Sequence, residues 1–191
     1  MKWVKQSIHY WCPDTKEHKF LGQNVTVAIL DTGISPHPDF KDRILSFRDF
    51  SSTTGSSEKV LFSFSHFSPL IDNSGHGTHV AGILAGSGLL SSGTYAGIAP
   101  FCNLIIGKVL DQNGNGSIKN VINGIQWIRD IYTQFHIRII NISVGTRPDL
   151  SIHQKLLLLN AVESLWDLGL VVVVSAGNYG PSPGSVTVPG S

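Results

Sequence analysis

Four short runs of the chain are mostly apolar and rich in β-branched residues: Val25 to Leu30, Leu104 to Leu110, Ile137 to Val144, and Leu170 to Ser175 with its four consecutive valines. Continuous runs of this length, unlike alternating ones, mark strands buried on both faces of a parallel sheet. Between them the apolar spacing turns helical. Ile118, Val121, Ile122, Ile125, Ile128 and Tyr132 follow Ser117, an N-cap residue, and Ile152, Leu156, Leu159, Ala161, Val162 and Leu165 precede a stop at Gly169. A third, shorter helix begins at His76, with Val80, Ala81, Ile83 and Leu84 to bury it. Strands alternating with helices predict parallel βαβ units in one α/β domain, without internal repeats.

Two stretches break this rhythm. Met1 to Leu21 reads as an irregular arm whose Trp3, Tyr10 and Trp11 pack on the body. Ser51 to Pro69 reads as a surface insert, either a loop or a short hairpin in which serine and phenylalanine alternate from Phe62 to Phe67. Across 191 residues, 41% are hydrophobic and 14% charged, a composition suited to one sizeable core. A net charge of +1 with no run of Lys or Arg gives no electrostatic basis for nucleic acid or an anionic membrane as partner. The apolar runs fall far below transmembrane length. Met1 to Ser7 lacks the apolar core of a signal peptide, which is compatible with an intracellular protein or the mature form of a secreted one.

The candidate chemistry lies at the ends of these elements. Asp72-Asn-Ser-Gly-His76-Gly-Thr-His-Val-Ala-Gly82 sets a histidine between two glycines at a helix start, open to a substrate yet held on a rigid element. Asp31, in Asp31-Thr32-Gly33, ends the first strand, on the edge of an open α/β sheet where ligands bind. A carboxylate there can orient the imidazole and stabilise its charged form. A further polar segment, Ser175-Ala176-Gly177-Asn178, follows the valine strand.

These three segments, in this order, resemble the aspartate, histidine and oxyanion motifs of the subtilisin-like serine proteases, the subtilases, from about Gly22 to the last residue. Subtilisin is itself the type example of that order and of the oxyanion asparagine. The resemblance implies a serine endopeptidase that needs no cofactor for catalysis. It also implies a three-layer fold, with a mostly parallel central sheet and helices on both faces. Asp31, His76 and Asn178 would be catalytic. Gly114, Asn115 and Gly116 would flank an extended peptide or protein substrate, and Ser143, Val144, Gly145 with Ser175, Ala176 and Gly177 would line the pocket for the residue before the cut.

The family's Gly-Thr-Ser-Met-Ala segment, which bears the nucleophile, does not occur in the chain, and Ser182, Ser185 and Ser191 lie in a proline- and glycine-rich stretch with no helix after them. The expectation is therefore the amino-terminal two-thirds of one peptidase domain, residues 1–191, incomplete at its C-terminus and inactive alone. It would associate with the rest of its domain or with itself. Two other readings compete: a peptide-binding subtilase relative without a nucleophile, and, less fitting, an aspartic protease. The latter leaves the His76 motif unexplained and needs a second Asp-Thr-Gly.

No metal is expected. Asp111 to Gly116 imitates an EF-hand loop, but its twelfth position is Ile122 where a bidentate Glu is needed. The stretch Gly86 to Pro100 lacks the ligand pattern of the structural calcium loop found in many subtilases, and Asp39, at a ligand position in some of them, reads equally as a turn residue. His79 is expected to pack or hydrogen-bond locally. Cys12 and Cys102 are expected to be free thiols.

Overall fold

The computed structural model describes residues 2–8, 10, 20–51, 58–60, 72–146 and 150–190. Within them lie strands β1 (Thr26–Asp31), β2 (Ile44–Asp49), β3 (Glu58–Val60), β4 (Asn103–Lys108), β5 (Ile137–Ile142) and β6 (Val171–Val174), and helices α1 (Lys2–Ser7), α2 (His76–Ala85), α3 (Ile118–Ile131) and α4 (Ile152–Trp166). The strands form one sheet in the order β3-β2-β4-β1-β5-β6. Every neighbouring pair is parallel except β2 with β3. This is the α/β arrangement that the alternating runs predict.

The strand pleat divides the apolar residues between two cores. Ala28, Leu30 and Ile105 face one way, onto Val121, Ile125 and Ile128 of α3 and Leu158 and Leu165 of α4. Val27, Ile29, Leu104 and Ile106 face the other way, onto Ala81 and Ala85 of α2 and onto Phe40 and Phe47. Helices thus cover both faces, and β1 in the middle is buried throughout. The Ser117 hydroxyl accepts from Asn120 N–H at the start of α3, and Ser151 with Gln154 forms a capping box on α4.

Several sequence expectations need correction. The valine strand is not buried: β6 is a sheet edge, and Val171 and Val173 are about half exposed, because α4 covers one face and α2 lies over β1 instead. The buried stripe of α4 runs through Leu158 and Leu165, leaving Ile152 and Leu156 in solvent. On α2, Ala81 is buried but Ile83 is exposed. In the arm, α1 is a short helix and Trp3 is 80% exposed, while Tyr10 does reach the body, its hydroxyl donating to the Ile98 carbonyl at 2.8 Å. Trp11 and Cys12 lie outside the described residues, as do Phe62 to Phe67; Ser51 and β3 are the parts of the insert that are described, β3 being added antiparallel to β2. Cys102 is a free, buried thiol, and burial pushes its pKa up to about 11.

One side chain ties three segments beneath the sheet edge. The Arg43 guanidinium donates to the carbonyls of Cys102 at 2.8 Å, Ala85 at 2.7 Å and Asp39, joining the turn before β4, the C-terminal end of α2 and the loop before β2. A cation at a helix C-terminus also meets the negative end of the helix dipole. Arg43→Met leaves the Cys102 and Ala85 carbonyls without this donor, while the Asp39 carbonyl keeps Ser87 N–H, so a loss of about 2–3 kcal/mol is expected, with a fall of about 4–12 °C in Tm by calorimetry. A Tm within about 2 °C of the parent would show that water replaces the guanidinium freely.

Candidate active site

Asp31 is the last residue of β1, paired in register with Lys108 of β4, and is fully buried. His76 is the first residue of α2. Their side chains meet: His76 Nδ1 lies 2.7 Å from Asp31 Oδ1, with the imidazole side chain 52% exposed and the carboxylate side chain 0%. One nitrogen is thus held from inside while the other side of the ring faces outward. The two flanking glycines act differently. Gly75 is in the left-handed region at φ 86°, which turns the chain into the helix. Gly77 is helical, and a Cβ there would lie 2.2 Å from the Gly33 carbonyl oxygen, so its bare Cα is what lets α2 abut the end of β1.

A polar network surrounds the pair. The backbone N–H of Thr32 donates to Asp31 Oδ1 at 2.7 Å, and the buried Lys108 Nζ donates to the Thr32 carbonyl at 2.5 Å. Asp72, also buried, accepts five hydrogen bonds: Oδ1 from the Thr32 hydroxyl, Ser74 N–H and Gly75 N–H, and Oδ2 from Thr78 N–H and the Thr78 hydroxyl. Burial pushes the Asp72 pKa up, but the bonds from Thr78, Gly75 and Thr32 together outweigh it and hold the carboxyl below its ordinary range. Sequence reasoning assigned no role to Asp72, Thr32, Thr78 or Lys108. The one available signal was an Asp a few residues ahead of a helix whose own cap, Gly75, has no side chain.

Five of the expected substrate residues share one cleft. Gly114, Asn115, Gly116, Val144 and Gly145 line a cleft of about 370 Å³, together with Val121, Thr146, Leu158 and others the sequence did not single out. Ser143 does not line the cleft, although its chain neighbours Ile142 and Val144 do, and its hydroxyl accepts from the Asn141 amide at 2.7 Å. Ser175 and Gly177 approach from β6: a Cβ on Gly145 would lie 3.3 Å from Gly177 Cα and 3.7 Å from Ser175 Oγ. Ala176 is fixed between them, its carbonyl accepting from Thr187 N–H at 3.1 Å. Asn178 is exposed four residues past the end of β6, the strand two places from β1 in the sheet, and makes no hydrogen bond to Asp31 or His76. The structure therefore brings Asp31 and His76 into contact and leaves Asn178 apart from them. Among the described residues, His76 receives no hydrogen bond from any hydroxyl.

Comparison with known proteins places this geometry. The model of the subtilase family matches residues 22–191. The chain belongs to the subtilase family. It is 41% identical over 174 residues to the serine protease AprX of Bacillus subtilis (strain 168), covering 88% of this chain and 36% of that protein. It is 37% identical over 161 residues to the major intracellular serine protease of the same organism, covering 83% of this chain and 44% of that one. Among solved structures, Sphericase superposes with a TM-score of 0.72 at 30% identity, over 88% of this chain and 51% of its own. The S41 psychrophilic protease superposes with a TM-score of 0.70 at 32% identity, covering 50% of its own chain. This subtilase chain thus spans about half or less of the relatives it matches.

Where some subtilases place a calcium ligand, Asp39 here accepts from Gly88 N–H at 2.9 Å and Leu90 N–H at 3.4 Å, closing a turn. In the loop at Asp111, its Oδ1 accepts from Asn113 and Asn115 N–H. No group of three or more His, Cys, Asp or Glu side chains able to hold a metal occurs among the described residues. No helix among them is long and apolar enough to cross a membrane.

Proposed function

We propose that this subtilase chain supplies the base, its orienting carboxylate, the oxyanion donor and the peptide-binding walls of a serine endopeptidase. The 2.7 Å contact between buried Asp31 and half-exposed His76 carries the reading. With Nδ1–H donated to Asp31, the His76 tautomer leaves Nε2 free to take the proton of a serine hydroxyl as its oxygen adds to the scissile carbonyl. The resulting imidazolium is stabilised by the Asp31 charge, and it passes the proton to the leaving amine as the acyl-enzyme forms. Water then repeats the cycle and releases the acid. Asn178 donates its amide to the oxyanion, and the substrate backbone lies between Gly114 to Gly116 and Ser143 to Gly145.

The nucleophilic hydroxyl comes, on this proposal, from outside the 191 residues. The support is that no described serine or threonine hydrogen-bonds His76. The names of the relatives, serine proteases and subtilisins, agree with the reaction class. The exposed Val171 and Val173 of β6, on the sheet face that α4 does not cover, then form an apolar strip covered by further subtilase sequence or by a second copy.

A fluorophosphonate probe tests the assignment. The isolated 191-residue chain should remain unlabelled by mass spectrometry at concentrations that saturate a subtilisin, because an acyl route requires an activated hydroxyl. Modification at Ser143, Ser175 or any other serine of the chain would overturn the placement of the nucleophile. A protein that contains this domain together with a downstream Gly-Thr-Ser segment should label and hydrolyse peptides. Failure there favours the peptide-binding alternative.

A further inference from the structure

Thr32 and Gly77 each adjoin a member of the Asp31–His76 pair, and both are bound into one relay. Gly77 N–H donates to the Thr32 hydroxyl at 2.9 Å, and that hydroxyl donates to Asp72 Oδ1 at 2.8 Å. On its other oxygen Asp72 takes Thr78 N–H at 2.9 Å, the bond an N-cap side chain would accept on α2, and the Thr78 hydroxyl at 2.6 Å. Thr78 in turn receives Ser35 N–H at 2.9 Å, so the segment after β1 is gripped a second time. Thr32 is completely buried and Asp72 is 5% exposed. The one carboxylate therefore holds the end of β1 and the start of α2, the two elements that carry Asp31 and His76.

We propose that Asp72, acting through Thr32, is a positioning residue that sets the Asp31–His76 geometry. Its charge state is matched to its surroundings, since all five of its partners are donors and an ionised carboxylate is acceptor only. An amide in its place keeps one accepting oxygen and turns two N–H groups toward donors, so Asn cannot satisfy both loops at once. The proposal rests on the catalytic reading of the pair, yet its own subject is the geometry of the pair, which can be read without hydrolysis.

The test uses Asp72→Asn, Thr32→Val and Thr32→Ser in the intact protein, each examined by proton NMR for the strongly downfield His76 Nδ1–H and by steady-state kinetics on a peptide substrate. Asp72→Asn and Thr32→Val should broaden or shift that resonance upfield and lower kcat by about tenfold to a hundredfold, as expected when reacting groups move by up to an ångström, with KM changed less than about threefold. Thr32→Ser, which keeps the hydroxyl, should recover about tenfold of the Thr32→Val loss. If Asp72→Asn does not fold, the two Thr32 variants decide the question alone. An unchanged downfield resonance in Thr32→Val, or equal losses in Val and Ser, would overturn the proposal. A parent protein that shows the resonance but no hydrolysis would defeat the peptidase reading and leave the positioning role standing.

Discussion

In the intact enzyme, His76→Ala should lower kcat for peptide hydrolysis by at least about 10²–10⁴-fold, the range that a positioned general base contributes. The reason is local. Among the described residues His76 is the imidazole paired with Asp31, and the ring is 52% exposed where it would meet a nucleophile. His79, three residues further along α2, cannot replace it, because it lines a separate pocket of about 400 Å³ with His37, Tyr95 and Ile83. His79→Ala is therefore the matched control, expected to keep kcat within about threefold. Stability should change little in His76→Ala. The substitution occurs at an exposed first helical position, water can reach the space, and Asp31 Oδ1 keeps the Thr32 N–H. A Tm within about 4 °C of the parent is the expected companion result. Retained hydrolysis in His76→Ala would remove the proposed base, whatever the family.

The contact between Asp31 and His76 is legible in the sequence because each residue sits at the end of a strongly patterned element. Val25 to Leu30 could only be a buried strand, and the apolar spacing from Val80 could only follow a helix begun near His76. What places the pair was not legible. Asp72, Thr32, Thr78 and Lys108 are polar residues scattered over 77 positions, counting from Thr32 to Lys108, and no period connects them. Their bonds exist only once β1, β4 and α2 are assembled. The strand β2 was missed for a related reason: Ile44-Leu-Ser-Phe-Arg-Asp mixes inward and outward residues without a clean alternation, and its buried Ser46 breaks the apolar run. The valine run of β6 misled in the opposite sense. Composition reports that a strand is apolar, while position in the sheet decides whether both faces are covered. Gly77 likewise owes its role, the close approach of α2 to Gly33, to the assembled fold.

Asn178→Leu should lower kcat in the intact enzyme by about 10- to 150-fold, which corresponds to losing one hydrogen bond of about 1.5–3 kcal/mol to a charged oxygen. Its position makes this a clean experiment. Asn178 is exposed beyond β6 and its amide is bonded to no described residue, so truncating it removes no structural bond and leaves no buried group unpaired. Leu keeps the branching and approximate volume while deleting the donor. Since the oxyanion exists only after the nucleophile adds, substrate binding does not use this bond, and KM should stay within about twofold. The nearby walls are unaffected, because Gly177 is held in the left-handed region at φ 85° with Thr187 against it. If Asn178→Leu raised KM while kcat held, the amide would instead bind the substrate's ground state, and the oxyanion donor would have to be sought among the backbone N–H groups around the nucleophile.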